Sequence, residues 1–382
     1  MSTPEPSVGG GVEEIRQRRP RRSRRTLWVT VAAVVVVVAI IGYGAFAGWF
    51  SARPVTITGA GATFPFPLIS KWSSVYKNLT GVQVNYQSIG SGGGITQITA
   101  KTVDFAGTDA PLRPSERTAA PGLLHIPETI GAVTAAYNVA SLASGLNLTG
   151  AVLAEIFNGN ITNWNDPAIQ ALNTVSLPNA PISVVHRSDS SGTTFVWTSY
   201  LHLASPGDWN SSLVGKSINW PVGIAAPGNA GVAGKIQQTP DSIGYVELAY
   251  TVQNTMKVGK IQNPAGDFVL PSLASTAAAA ASAGALPSPG GDWGNVSILN
   301  AAGANSYPIA SFTYLLVYKE LSVLGPSMTQ ARAQALVDFL WWLVHDGQTY
   351  AVDLVYPALP GSVVTLDEGA VRSITFNGVP LK

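Results

Sequence analysis

Three times along this chain a short β run stops at small or hydroxyl residues and a helical pattern follows at once. Val55–Thr58 leads into Gly59-Ala60-Gly61-Ala62-Thr63-Phe64-Pro65, after which Leu68, Trp72, Val75 and Leu79 recur at a period near 3.6. Val82-Gln83-Val84-Asn85-Tyr86 leads into Ile89-Gly90-Ser91-Gly92-Gly93-Gly94-Ile95, with Ile95, Ile98 and Thr99 continuing as a short helix. Ser183-Val184-Val185-His186 leads into Arg187-Ser188-Asp189-Ser190-Ser191-Gly192-Thr193 and an apolar helical stretch from Thr194. Strand, small-residue turn and helix in that order commit the chain to an α/β architecture. Roughly 330 residues follow residue 53, too many for one core, so two lobes are expected.

The turns carry the chemistry. A helix start leaves four backbone N–H groups unpaired, and the helix dipole adds partial positive charge there. In the heptad, Ser191 or Thr193 can cap, Gly192 lets an anion approach the backbone, and Arg187 supplies a planar fork of donors. That set reads as a site for a tetrahedral oxyanion. Thr63 and the Phe64 N–H sit at a second strand-to-helix turn, and the glycines around Ser91 permit close backbone approach at a third. A fourth segment, Val103-Asp104-Phe105-Ala106-Gly107-Thr108-Asp109-Ala110-Pro111, reads as a buried strand that ends in a carboxylate and turns at proline.

These four segments, in this order, resemble the periplasmic phosphate-binding proteins of the high-affinity phosphate ABC importer. The resemblance covers nearly everything after about Pro54, including Ile243-Gly244-Tyr245-Val246-Glu247 and Phe312-Thr313-Tyr314. It implies a two-lobed periplasmic-binding-protein fold of type II with the ligand cleft between the lobes. Lobe 1 would be 54–130 plus 309–382 and lobe 2 would be 131–308, hinged near Ile130–Val133 and Ser311–Thr313. It implies Thr63, Phe64 (through its N–H), Ser91, Asp109, Arg187, Ser191, Gly192 and Thr193 as phosphate ligands, with Asp189 orienting the arginine. The implied function is extracytoplasmic binding of inorganic phosphate and its delivery, by hinge closure, to permease transmembrane subunits served by a cytoplasmic ATPase. No catalytic residue, metal or cofactor is implied.

The residues support that ligand on their own. Phosphate near neutral pH still carries a proton, and sulfate does not. A carboxylate such as Asp109 accepts that proton, whereas a fully ionised sulfate would meet a buried like charge. Asp109 is therefore the expected filter between the two anions. A phosphate sensor, or a binder of another oxyanion not coupled to transport, would use the same residues. A phosphatase finds little support: the four histidines are widely spaced without a metal-ligand pattern, and no Walker A motif, nucleophile elbow or Ser/His/Asp set is present.

The N-terminus sets the expected location. Seven arginines between Arg16 and Arg25 precede an uncharged run from Thr26 to Phe50. At ~1.5 Å per residue that run is long enough for a ~30 Å hydrocarbon core, and the arginines keep the first residues cytoplasmic. Ala45-Phe46-Ala47 fits a cleavage pattern, but the apolar stretch exceeds the roughly 7–15 residues of a signal core. The reading is thus a disordered basic tail over 1–25 and an uncleaved single-pass anchor over 26–50, with the binding domain outside. The chain has no cysteine, so it departs from relatives tethered by a lipidated cysteine, and no disulfide supports the fold. Seven of the 22 basic residues and three of the 21 acidic ones precede residue 51, leaving 15 against 18 outside. A mildly acidic domain binds an anion through local dipoles and Arg187, not a global field, and offers nucleic acid no basic stripe.

Overall fold

In the computed structural model, which describes Val29, residues 33–37 and residues 54–382, the glycine-ended β runs are strands of parallel half-sheets. β1 (Thr56–Gly61) pairs in parallel with β2 (Gln83–Ser88) on one side and β3 (Phe105–Thr108) on the other. Parallel neighbours need crossovers, and the helices α1 (Phe66–Thr80) and α2 (Ser91–Thr99) supply them. α2 starts at Ser91 itself, so Gly92, Gly93 and Gly94 form the helix's first turn; Gly90 before it takes a φ of 85°.

The buried face of α1 differs from the expected one. Leu68, Ile69, Trp72 and Tyr76 point inward, while Leu79 is 64 % exposed and Val75 is half-buried. Tertiary partners set this rotation. Tyr76 packs its ring 5.1 Å from Phe339 and 5.2 Å from Trp342, and Trp72 Nε1 donates to the Gly347 carbonyl at 2.7 Å.

The 16-residue strand β4 (Leu123–Asn138) is buried at every position but its last. Along its second half it pairs antiparallel with β7, which pairs in parallel with β5, and β5 in turn pairs in parallel with the edge strand β6 (Ser183–Arg187, Ile224–Ala226 and Ser242–Glu247 for β5, β6 and β7). Its first half pairs antiparallel with β8 (Ala310–Tyr318), which also pairs with β3. The strand order is β2-β1-β3-β8-β4-β7-β5-β6. Two parallel halves thus flank an antiparallel pair, giving a two-lobed α/β fold in which the chain crosses the middle on β4 and returns on β8. The second half carries α3 (Gly192–Ala204) after β5 and α4 (Gly228–Gln238) after β6.

The 15-residue helix α5 (Gln330–Val344) buries Leu336, Phe339, Leu340 and Leu343 as its periodicity predicts. Trp341 lies under Arg372 and Lys382, each 5.0 Å from its ring centre, and Trp342 packs on Tyr76; both serve packing within the chain. The alanine-rich segment forms a helix over Leu273–Ala280, opened by a Ser272/Ser275 capping box.

The basic tail expected over 1–25 lies outside the described residues, as does the anchor over 26–50 apart from Val29 and residues 33–37, which are helical and exposed. Among the described residues no helix is long and apolar enough to cross a membrane.

Candidate anion-binding site

The first turn of α3 organises the site. Ser191 takes extended backbone angles, and its Oγ accepts from the Thr194 N–H at 3.1 Å, so serine rather than threonine is the cap. The N–H groups of Gly192 and Thr193 have no partner within the helix and point across to the β1–β3 segments. Gly192 donates to Ser91 Oγ at 3.0 Å, and the Thr193 N–H is aimed at the Asp109 carboxylate.

Arg187, at the end of β5, is held as a fork. Its Nε and Nη2 donate to Asp189 Oδ1 and Oδ2 at 2.8 and 2.5 Å, leaving Nη1 to reach Thr193 Oγ1 at 3.4 Å. The Gly228 N–H adds a 3.0 Å bond to Asp189 Oδ1. Burial alone would raise the Asp189 carboxyl, but the Arg187 bonds and charge hold it below the usual carboxylate range.

Asp109 follows β3 and is 2 % exposed. Its Oδ1 accepts from Thr313 Oγ1 at 3.1 Å and its Oδ2 from Thr193 Oγ1 at 3.4 Å. Burial pushes it up to about 7, against the pull of Thr313, the Arg187 charge and Thr193. A carboxyl that titrates near neutrality, ringed by donors, suits an anion that carries a proton of its own.

Thr63 completes the ring from the β1–α1 turn. Its Oγ1 accepts from the Asn229 N–H at 3.1 Å and from Asn229 Nδ2 at 2.9 Å, so its own hydrogen stays available to a ligand. The Phe64 side chain is fully buried and its carbonyl accepts from Tyr356 at 2.8 Å; its N–H has no hydrogen-bond partner among the described residues. One hydrogen-bonded network therefore joins Thr63, Ser91, Asp109, Arg187, Asp189, Gly192 and Thr193. Ser191 shapes it as a cap, and Phe64 enters beside Thr63.

Several contacts tie the β1–β3 segments directly to the α3 turn. The Gly92 N–H donates to Ser190 O at 2.9 Å, and Gly90 leaves room for Asp189, whose Oδ2 would lie 2.3 Å from a Cβ there. Lys216, whose carbonyl accepts from the Ser191 N–H at 2.8 Å, places Nζ 2.8 Å from both Glu116 oxygens.

Three polar residues of this region have no counterpart among the sequence candidates. Asn229, fully buried, bridges Thr63 and Thr193 through Nδ2, the second bond being 3.1 Å. The signal for it was there: Ile224–Ala226, then Pro227-Gly228-Asn229, repeats the strand, small residue and helix order of the other turns. Glu128 and Glu247 are lone carboxyls within apolar strands, both fully buried. Glu247 Oε2 accepts from the Ala249 N–H at 3.0 Å and from Tyr356 at 2.9 Å, and burial pushes its carboxyl up to about 8.

The Glu247 shift has a stability consequence. The folded chain holds a proton that the unfolded chain releases at about 4.5. This contribution is complete below the unfolded value and is lost as pH rises through about 8. Relative to the parent, Glu247→Gln is expected to be more stable at about pH 9 than at about pH 5, by on the order of 4 kcal/mol, and its melting temperature to be correspondingly less sensitive to alkali. Thermal melts of both proteins at the two pH values check it; an equal difference at both would remove the linkage.

The residues 50–346 match the PBP superfamily domain. A phosphate-binding protein PstS from Xylella fastidiosa is 44% identical over 315 residues, covering 82% of this chain and 84% of that protein. PstS from Methanocaldococcus jannaschii is 32% identical over 365 residues, 90% of this chain and 93% of its own. A crystallised high-affinity periplasmic phosphate-binding protein, PfluDING, shares the fold at a TM-score of 0.68 and 22% identity, over 82% of this chain and 93% of that one. The two-lobed fold is that of the periplasmic binding proteins, and the chain belongs to the PstS family of phosphate-binding proteins within the PBP superfamily.

Proposed function

We propose that residues 54–382 bind inorganic phosphate outside the cytoplasmic membrane and deliver it to an ABC-type phosphate permease, whose transmembrane subunits work with a cytoplasmic ATPase. The observation that carries this reading is Asp109, a buried acceptor set among the donors of the α3 turn, Arg187 and Thr63. The relatives named PstS are phosphate-binding proteins, which supports the same ligand. In this reading Thr63, the Phe64 N–H, Ser91 and Asp109 belong to lobe 1, residues 54–130 plus 309–382. Arg187, Ser191, Gly192 and Thr193 belong to lobe 2, residues 131–308, and Asp189 restrains the arginine. An anion touched from both sides favours closure by its differential affinity for the closed state. The segment over 26–50 anchors the protein with its N-terminus in the cytoplasm.

Calorimetry on the full chain in detergent, with phosphate and sulfate in parallel at neutral pH, tests the reading. Phosphate is expected to bind and sulfate to give no heat. Sulfate binding as tight as phosphate would leave a general oxyanion binder, and binding of neither would sink the proposal. Asp109→Asn is expected to narrow the phosphate-over-sulfate ratio by at least about tenfold, since the repulsive carboxylate is gone and an amide donates to sulfate. An unchanged ratio would remove Asp109 as the filter.

A further inference from the structure

Glu128 stands near the middle of β4 with no solvent exposure, and its Oε2 has no hydrogen-bond partner among the described residues. Its Oε1 lies 3.2 Å from Thr313 Oγ1. The same hydroxyl lies 3.1 Å from Asp109 Oδ1 and 3.4 Å from the Thr108 carbonyl. A threonine hydroxyl has one hydrogen to give and two lone pairs to receive. It cannot donate to two carboxylates at once. With both acids ionised, two like charges would compete for one hydrogen in a buried site. With one acid protonated, an unbroken chain of O–H bonds runs through Thr313.

The surroundings decide which acid holds the proton. Asp109 receives the Thr193 hydroxyl and N–H and feels the Arg187 charge. Glu128 has Thr313 alone. Gln348 Nε2 donates to the Glu128 backbone carbonyl at 3.1 Å and not to its carboxyl. Tyr86 reaches Glu128 and Asp109 from β2, Tyr314 reaches Asp109 from β8, Tyr356 faces Asp109 from the C-terminal segment, and Glu247 and Tyr250 face it from the far half. Burial raises each of these phenols, so they stay neutral, and Arg187 is the one cation of the set.

We infer that Glu128 holds a proton at neutral pH and donates it as a hydrogen bond to Thr313, which in turn donates to Asp109 and keeps that carboxylate an acceptor for the proton of the bound anion. Glu128 is a positioning residue in this scheme, acting on the ligand through Thr313 and Asp109. Its burial and the neighbouring Asp109 charge, which push its carboxyl well above the usual range, agree with the hydrogen count. Ionising Glu128 in alkali withdraws the Thr313 hydrogen from Asp109 and sets a second negative charge one hydroxyl away. Phosphate affinity should fall there for a reason sited in the hinge. The inference rests on the phosphate reading of the site.

The test compares the parent full chain with Glu128→Gln and Glu128→Ala. The infrared spectrum of the ligand-free parent should contain a protonated-carboxyl carbonyl band that Glu128→Gln lacks. In calorimetry at neutral pH, Glu128→Ala should bind phosphate about tenfold more weakly, having lost one buried hydrogen-bond partner. Glu128→Gln should recover most of that loss, because its amide N–H replaces the O–H donor, and its affinity should fall less in alkali than the parent's. Identical carbonyl regions in parent and Glu128→Gln would overturn the proton assignment. So would a glutamine variant as weak as the alanine one, which would mean that the ionised form is required. The infrared comparison needs no ligand and survives misfolding of Glu128→Ala. A parent that shows the band yet binds no phosphate would sink the phosphate reading while upholding the protonated Glu128.

Discussion

Arg187→Ala is expected to weaken phosphate binding by a factor of about 10²–10⁴, the range for truncating one member of a buried, hydrogen-bonded charge pair. The side chain is 1% exposed, and water cannot substitute for it. Its removal takes the guanidinium charge from the proposed ligand and, with the two Arg187 bonds gone, leaves Asp189 an uncompensated carboxylate held by the Gly228 N–H. Lysine should not rescue, because an ammonium cannot engage both Asp189 oxygens in the same plane and still present a donor to the ligand. Calorimetry on Arg187→Ala and Arg187→Lys, with circular dichroism to establish folding, measures this. Affinity within about twofold of the parent would remove Arg187 from the proposed ligand set.

Gly192→Ala should cost affinity by another route. A Cβ on Gly192 would lie 2.6 Å from Asp109 Cβ, from Asp109 Oδ2 and from Ser91 Oγ. In the proposed division every one of those atoms belongs to the other lobe. The methyl group is therefore tolerated when the lobes are apart and obstructs them when they meet. The expected result is a folded protein that binds phosphate at least about a hundredfold more weakly, since the competent closed state is depopulated. Small-angle scattering should show the parent contracting on phosphate and the variant not. A variant that contracts and binds like the parent would mean that Asp109 and Ser91 yield by rotation, and that closure does not depend on this contact.

The elements legible in the sequence were those whose order and period are local. The strand-to-helix turns at Thr63, Ser91 and Arg187 follow from residue order alone, and α5 follows from its apolar spacing. The rotation of α1 did not, because Tyr76 is drawn inward by aromatic partners on α5, more than 260 residues on. Asn229 is marked by the strand-to-helix order that precedes it and by no periodicity of its own, because it is a polar residue in a glycine- and alanine-rich stretch. Its importance comes from two hydroxyls brought to it by other segments. Glu128 was hidden for the opposite reason: its strand reads as uniformly buried, and only the pairing of β4 with β8 sets Thr313 between it and Asp109.

The place of β8 in the sheet governs how the protein is assembled. It separates β3 from β4, yet Thr313 and Thr108, which it brings together, are 205 residues apart along the chain. Until residues 310–318 are synthesised, β3 and the first half of β4 each present an unpaired, apolar edge. Pairing of such long range is slow to form and prone to aggregation while it waits. With no cysteine in the chain, no covalent clasp holds the early segments in place. An emerging chain thus carries an unfinished sheet for most of its synthesis, and whatever keeps it unfolded in that interval also guards those two edges until the strand that closes them arrives.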